Sequence, residues 1–251
     1  MRLSGIGAAA AASMTLATAV LLGPAAAQAS TPTNTGKCTD VMVFASRGSG
    51  EAWNSDVVGF GRTLSAQYRQ LQKKAPRAQL SAVSNTYTAI SVNNLNAALS
   101  LTKGGLTFYD NSVNQGIAMG KRLLETAITK CPKAAFMLFG FSQGAQVNDG
   151  IMARLTKAHA AHVVAAFNFG DAMFNPALPL TIGTFSTNRS GFRGKNGSYG
   201  YVKKVVSMCH SNDAVCQGPK ALSLSGHFNY DKETAPSTLM VKALQAAGRR
   251  V

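Results

Sequence analysis

Gly140-Phe141-Ser142-Gln143-Gly144 holds a serine between two glycines. The apolar run Ala134-Ala135-Phe136-Met137-Leu138-Phe139 leads into it, and a helix-compatible segment, Ala145 to Leu155, follows. Strand, sharp turn with serine at its apex, helix: this order makes a nucleophile elbow. Such a turn holds the serine backbone in a strained conformation, so side chains beside it must be nearly absent. The chemistry available to a serine so placed is acyl transfer, and it needs three more parts. A base must take the hydroxyl proton, an acid must orient the base, and two donors must meet the oxyanion. The bland alternative, a surface turn, fits poorly with a buried strand on one side and a helix on the other.

A serine hydroxyl barely ionises at neutral pH, and histidine is the base suited to it. The chain has four: His159, His162, His210 and His227. Behind an elbow of this type the order along the chain is serine, acid, histidine. His159 and His162 follow the elbow too closely and read as structural. Asp213 lies within Cys209-His210-Ser211-Asn212-Asp213-Ala214-Val215-Cys216. A disulfide across that loop would lock the carboxylate in place. Asp213 with His227 is therefore the expected pair, and Asp171 with His210 is its rival. Asp231 comes after His227 and breaks the order. A histidine base implies activity that rises as pH climbs through about 6–7. One oxyanion donor should be the N–H of Gln143. The second should come from the glycine-rich loop Ser46-Arg47-Gly48-Ser49-Gly50-Glu51, where Ser49 can add its hydroxyl.

These parts must be carried by something rigid. Short apolar runs predict strands at Val41–Phe44, Gln79–Val83, Ala134–Phe139, His162–Phe169 and Tyr201–Ser207. Helical spacing predicts helices over Ser55–Ala75, Ser112–Lys130, Ala145–Leu155 and Ser237–Ala247. Strands alternating with helices give an α/β fold, a central and mainly parallel sheet covered on both faces. With about five strands and no long insertion, the expectation is a small α/β-hydrolase without a large lid. Asn93 to Asp110 and Asp171 to Gly200 read as irregular surface, although Ala177-Leu178-Pro179-Leu180-Thr181-Ile182 is too apolar for an ordinary solvated loop. Asn188-Arg189-Ser190 and Asn196-Gly197-Ser198 are glycosylation acceptors where the host can use them.

The chain has 251 residues. Met1-Arg2, the uncharged run Ile6 to Leu22 and the small residues Ala25 to Ser30 read as a cleaved secretory signal peptide over 1–29. Residues 30–251 then form one domain, and no later stretch is apolar enough for a membrane span. Cys38, Cys131, Cys209 and Cys216 are an even set suited to an oxidising compartment, with three pairings open. Cys209 and Cys216 are near enough to close a small loop, which leaves Cys38 with Cys131. No pattern of metal ligands appears, so neither a metal nor another cofactor is expected. Lysine and arginine number 25 against 10 acidic residues, a formal net charge of +15. The basic residues are scattered and no nucleic-acid module is present, so nucleic acid is not the expected partner. A basic solvated surface is the simple reading, and attraction to an anionic surface the sharper one. Nothing points to an obligate partner, so a monomer is expected.

Taken together, the chain resembles the cutinase family, small secreted serine esterases of the α/β-hydrolase fold. Cys38-Thr39-Asp40-Val41 leading to Phe44-Ala45-Ser46-Arg47-Gly48-Ser49-Gly50-Glu51 resembles the family's opening cysteine, first strand and oxyanion loop. The elbow at Ser142, the loop from Cys209 to Cys216 and Gly226-His227-Phe228-Asn229-Tyr230 are similar to its nucleophile, acid and histidine segments. The resemblance implies Ser142 as nucleophile, His227 as base, Asp213 as orienting acid, and Ser49 with Gln143 as oxyanion hole. It also implies the disulfides Cys38–Cys131 and Cys209–Cys216. It implies a serine open to solvent between apolar loops near Leu95 to Phe108 and Leu222-Ser223-Leu224. The expected substrate is a cutin-like polyester or a short-to-medium acyl ester. An acetyl-polysaccharide esterase, a lipase or phospholipase, and a non-catalytic binding protein on the same scaffold are the alternatives. Phe141 and Ser46 depart mildly from the family's commoner tyrosine and alanine, and the basic stretch 171–200 is longer than its usual pattern.

Overall fold

A strand with helices over both faces must be apolar on both faces, and Val41-Met42-Val43-Phe44-Ala45 is. In the computed structural model, which describes residues 37–218 and 223–251, these residues belong to β1 (Val41–Ser46). The expected leader at 1–29, and Leu222 of the second apolar loop, lie outside the described residues. Five further strands follow: β2 (Leu80–Ser84), β3 (Ala135–Phe141), β4 (Val163–Phe169), β5 (Thr181–Gly183) and β6 (Val205–Cys209). Every pairing is parallel, in the order β2-β1-β3-β4-β6-β5. The helices are α1 (Gly61–Lys74), α2 (Val92–Leu99), α3 (Lys103–Lys130), α4 (Gln143–Met152), α5 (Lys157–Ala160) and α6 (Ala235–Ala246).

Alternate residues of each strand feed two cores. Met42, Phe44, Phe136 and Leu138 pack with Val113, Ile117 and Leu124 of α3 and with Val147 and Ile151 of α4. Val41, Val43, Met137, Phe139 and Phe167 pack on the other face with Leu64, Tyr68 and Leu71 of α1 and with Met240 and Leu244 of α6. The chain leaves β1 toward β2 at one edge and returns to β3 on the other side. That reversal opens a crevice at the carboxyl ends of β1 and β3, where open parallel sheets bind their ligands. The Cys38–Cys131 disulfide ties the start of β1 to the end of α3.

Three expectations need correction. The sheet has six strands, because β5 pairs with β6 inside the stretch read as irregular surface. Its three residues begin at the end of the apolar run Ala177–Ile182 and are too few to show a period. The segment 93–110 is helical, split between α2 and the start of α3. Ser91 and Thr102 cap these helices by accepting from the N–H groups of Asn94 and Gly105. The last strand sits later than expected, at Val205–Cys209.

Candidate active site

Ser142 takes φ 56° and ψ −123°, a conformation that side chains other than glycine rarely adopt. Its N–H donates to the carbonyl of Phe169 at 2.8 Å, which pins the turn to the end of β4. Gly144 is needed for close approach: a Cβ there would collide with the carbonyl of Ser46. The absence of that atom lets the first turn of α4 lie against the end of β1. Ser46 closes the same junction, donating to Asn148 Oδ1 at 2.8 Å and accepting from Asn85 Nδ2 at 3.1 Å. A serine there, where alanine is commoner in the resembled family, thus has a structural task.

His227 Nε2 lies 2.9 Å from Ser142 Oγ, and His227 Nδ1 lies 2.8 Å from Asp213 Oδ2. A carboxylate only accepts, so Nδ1 carries the proton and Nε2 turns its lone pair to the hydroxyl. The imidazole stacks on Phe141, ring centroids 4.8 Å apart. The chain also passes very close at Gly170 (φ 57°), where a Cβ would stand 2.8 Å from Asp213 Oδ2 and 2.9 Å from His227 Nδ1. Asp213 is buried. Its Oδ1 accepts from the N–H of Val215 at 2.8 Å, and its Oδ2 accepts from the Tyr230 hydroxyl at 2.6 Å. Burial alone would push the Asp213 carboxyl up. The neighbouring His227, its hydrogen bond, Tyr230 and the Val215 N–H outweigh burial and hold it below the usual value. Burial and the Asp213 charge push the Tyr230 phenol well up, which keeps it a donor.

Ser49 Oγ donates to Gln143 Oε1 at 3.3 Å, and the N–H of Ile90 donates to the same oxygen at 3.1 Å. The Gln143 side chain therefore holds the loop that carries Ser49. Its backbone N–H, first in α4, has no intrahelical acceptor and lies where the helix end is positive. Arg47, from the same loop, is buried between two rings, 5.2 Å from the Trp53 centroid and 5.7 Å from that of Tyr87. The Tyr87 hydroxyl donates to the Arg47 carbonyl at 2.5 Å.

A cavity of about 660 Å³ opens beside Ser49 and His227. Val92, Leu95, Phe141 and Phe228 give it an apolar side, and Glu51, Asp56, Arg62 and Thr63 a polar one. Ser142 itself is only 1% exposed, which corrects the expectation of a serine open to solvent. Of the segment expected as an apolar loop, Leu95 on α2 is buried against the cavity and Phe108 on α3 is exposed. The second disulfide, Cys209–Cys216, closes the loop that bears Asp213.

The rival pair stays apart from the serine. Asp171 is buried, accepting from the N–H of Met173 at 2.9 Å, while His210 Nε2 faces Glu233 Oε1 at 3.4 Å. His159 pairs with Glu125 at 3.0 Å, and His162 precedes β4. Among the described residues no three His, Cys, Asp or Glu side chains cluster as metal ligands. No helix of the described residues is long and apolar enough to cross a membrane. Tyr230 and Gly170 were not singled out as site residues by sequence reasoning. Their signals were a tyrosine three residues beyond the histidine and a glycine closing the strand after the elbow.

Comparison with known proteins agrees with this fold. The family model described as Cutinase matches residues 37–244. The chain is 30% identical over 207 residues to Cutinase CUT1 of Coprinopsis cinerea, covering 82% of this chain and 84% of that protein. It is 27% identical over 134 residues to Acetylxylan esterase 2 of Talaromyces purpureogenus, covering 47% of this chain and 57% of that protein. A solved acetylxylan esterase shares the fold with a TM-score of 0.65 at 23% identity, covering 82% of this chain and 99% of the other. This chain belongs to the cutinase family, carboxylic ester hydrolases of the α/β-hydrolase fold.

Proposed function

We propose that Ser142 is the nucleophile of this esterase, His227 its base and Asp213 the acid that orients the base. The observation that carries this reading is the unbroken chain from Ser142 Oγ through both His227 nitrogens to Asp213 Oδ2, with steps of 2.9 and 2.8 Å. His227 takes the hydroxyl proton as Ser142 attacks the ester carbonyl. The Gln143 N–H meets the developing oxyanion, and the Ser49 hydroxyl turns from Gln143 Oε1 to become the second donor. The alcohol departs with the proton from His227, water enters by the same route, and the acyl-enzyme is hydrolysed. Asp213 stays ionised and stabilises the imidazolium.

The substrate class is a short-to-medium acyl ester, either soluble or presented on a polyester such as cutin. The cavity of about 660 Å³ beside His227 exceeds what an acetyl group fills, and its Val92, Leu95 and Phe228 side suits an alkyl chain. The acetyl-polysaccharide reading rests on the polar side of the same cavity, Asp56, Arg62 and Thr63, which suits a hydroxylated alcohol. Hydrolysis of p-nitrophenyl esters from two to twelve carbons, beside cutin and acetylated xylan, separates the two. A maximum between four and eight carbons is expected. Activity confined to acetyl esters and acetylated xylan overturns the first reading in favour of the second. A leader removed on export, residues 30–251 acting as one monomeric domain, and attraction of the +15 chain to anionic surfaces complete the proposal. Adsorption to such a surface that ignores salt overturns the last part.

A further inference from the structure

The helix α1 begins without a cap of its own. Its N-cap residue, Phe60, makes no side-chain hydrogen bond to the helix, and its first turn holds no acidic residue. The first turn of a helix still presents free N–H groups and a positive end. Glu51 answers both from outside the helix. Its Oε1 accepts from the N–H of Thr63 at 2.8 Å. Its Oε2 accepts from the N–H of Gly48 at 3.0 Å, one residue before Ser49. Two weaker bonds close the turn around it, from the Glu51 N–H to the Gly48 carbonyl at 3.3 Å and from Arg47 Nε to the Glu51 carbonyl at 3.3 Å. Gly61 lets the carboxylate lie flat on the helix start, since a Cβ there would collide with Glu51 Oε2.

We infer that Glu51 is a positioning residue: its carboxylate ties the oxyanion loop to the first turn of α1, and Ser49 is set for the reaction only while that carboxylate is ionised. The inference rests on the reading of Ser142, His227 and Ser49 given above. Both bonds require an acceptor, and protonation turns one of the two oxygens into a donor facing an N–H. Burial pushes the Glu51 carboxyl up from its usual value, and the Thr63 and Gly48 N–H groups and His227 offset this only in part. The charged and titratable groups around it are Arg47 on its own loop, Tyr87 after β2, Arg62 on α1, Asp56 across the cavity, and His227. Activity then depends on two deprotonations on the acid side, that of the histidine base and that of Glu51.

The test is the pH profile of kcat/KM, which reports ionisations of the free enzyme. Wild type, Glu51→Gln, Glu51→Asp and Ser142→Ala are compared from pH 4 to 9 on one p-nitrophenyl ester. In wild type the acid limb approaches a slope of two on logarithmic axes. Glu51→Gln keeps a single acceptor oxygen and no charge, so kcat falls about 10–100-fold at pH 8 with KM nearly unchanged, and its acid limb has a slope of one. Glu51→Asp keeps a titrating carboxyl on a shorter arm, so it retains the slope of two at reduced kcat. If Glu51→Gln does not fold, the wild-type and Glu51→Asp slopes decide. A wild-type slope of one, or a slope of two that persists in Glu51→Gln, overturns the role of Glu51 while an inactive Ser142→Ala leaves the triad standing. An active Ser142→Ala overturns the triad and this inference with it.

Discussion

The Tyr230 phenol donates to Asp213 Oδ2 at 2.6 Å, the same oxygen that faces His227 Nδ1 at 2.8 Å. The hydroxyl is itself held, accepting from the N–H of His210 at 3.1 Å, and its ring is stacked on His210 with centroids 4.5 Å apart. Tyr230→Phe removes one donor from a buried carboxylate and leaves the packing intact. A hydrogen bond to a charged group contributes about 1.5–3 kcal/mol, and that much stability should be lost at pH 7. The Asp213 pKa is depressed in the folded state, so its stabilising effect is present above the unfolded value near 3.9 and fades as pH falls below it. Acid unfolding, followed by circular dichroism, should therefore begin at higher pH in the variant. An unchanged acid transition contradicts the role of the phenol.

Ser142→Ala should lower kcat by roughly four to six orders of magnitude on any ester the protein turns over. Alanine has no easier access to φ 56° than serine, so stability should shift by less than about 1 kcal/mol. Labelling with a serine-directed phosphonate, read by mass spectrometry, should go from one adduct per chain to none. Full labelling of the variant places the reactive serine elsewhere.

Gly170→Ala tests how tightly the acid and base are enclosed. The added methyl would stand 2.8 Å from Asp213 Oδ2 and 2.9 Å from His227 Nδ1, on a backbone with φ 57°. The two groups must separate to admit it. A fall in kcat of at least about tenfold is expected, with KM little changed, because substrate binds beside the imidazole rather than behind it. Steady-state kinetics on a soluble ester decide, and wild-type kcat would show that the contact is not as close as described.

The two disulfides should differ in what they protect. Cys38–Cys131 spans 93 residues and lies away from the serine, whereas Cys209–Cys216 spans 7 and encloses Asp213. Chain-entropy reasoning gives the long bridge about 4–5 kcal/mol and the short one about 2–3 kcal/mol. Serine replacement of the long pair should therefore cost more stability yet leave kcat of the folded protein unchanged. Replacement of the short pair should cost less stability and reduce kcat. Denaturant melts paired with kinetics check this, and equal effects on kcat would refute it.

Asp149 and Asp171 are buried neighbours, and burial together with their mutual repulsion disfavours ionising both. Burial pushes Asp171 up to about 6, and burial with the Asp171 charge pushes Asp149 well up. A raised folded-state pKa gives stability that is full below the unfolded value near 3.9 and lost as pH rises through about 6. Asp171→Asn keeps an acceptor for the Met173 N–H but carries no charge, and should remove that loss. The variant should match wild type at pH 4 and exceed it by about 2–3 kcal/mol at pH 8. A difference that does not change between the two pH values sinks the idea.

Much of this architecture was legible from residue types, and the exceptions have physical causes. The elbow could be read because its signal is local: an apolar strand, a glycine on each side of Ser142, a helix. The choice of Asp213 and His227 came from chain order and the cysteines around the acid, both visible in one dimension. The course of 92–108 was misread because asparagines and Gly104-Gly105 lower helix propensity, while the capping by Ser91 and Thr102 and the packing of Leu95 and Ala98 outweigh it. β5 was missed because an edge strand of three residues has no period to detect. Tyr230 reaches Asp213 across 17 residues, Gly170 reaches His227 across 57 and Glu51 reaches Thr63 across 12, so residue types mark where they stand but not what they touch.

Arg47 lies over the ring of Trp53, and the chain contains one tryptophan. A guanidinium held against an indole alters its emission, and here that guanidinium is rooted in the loop that bears Ser49. Intrinsic fluorescence excited near 295 nm thus reports on the loop that bears Ser49 without any label.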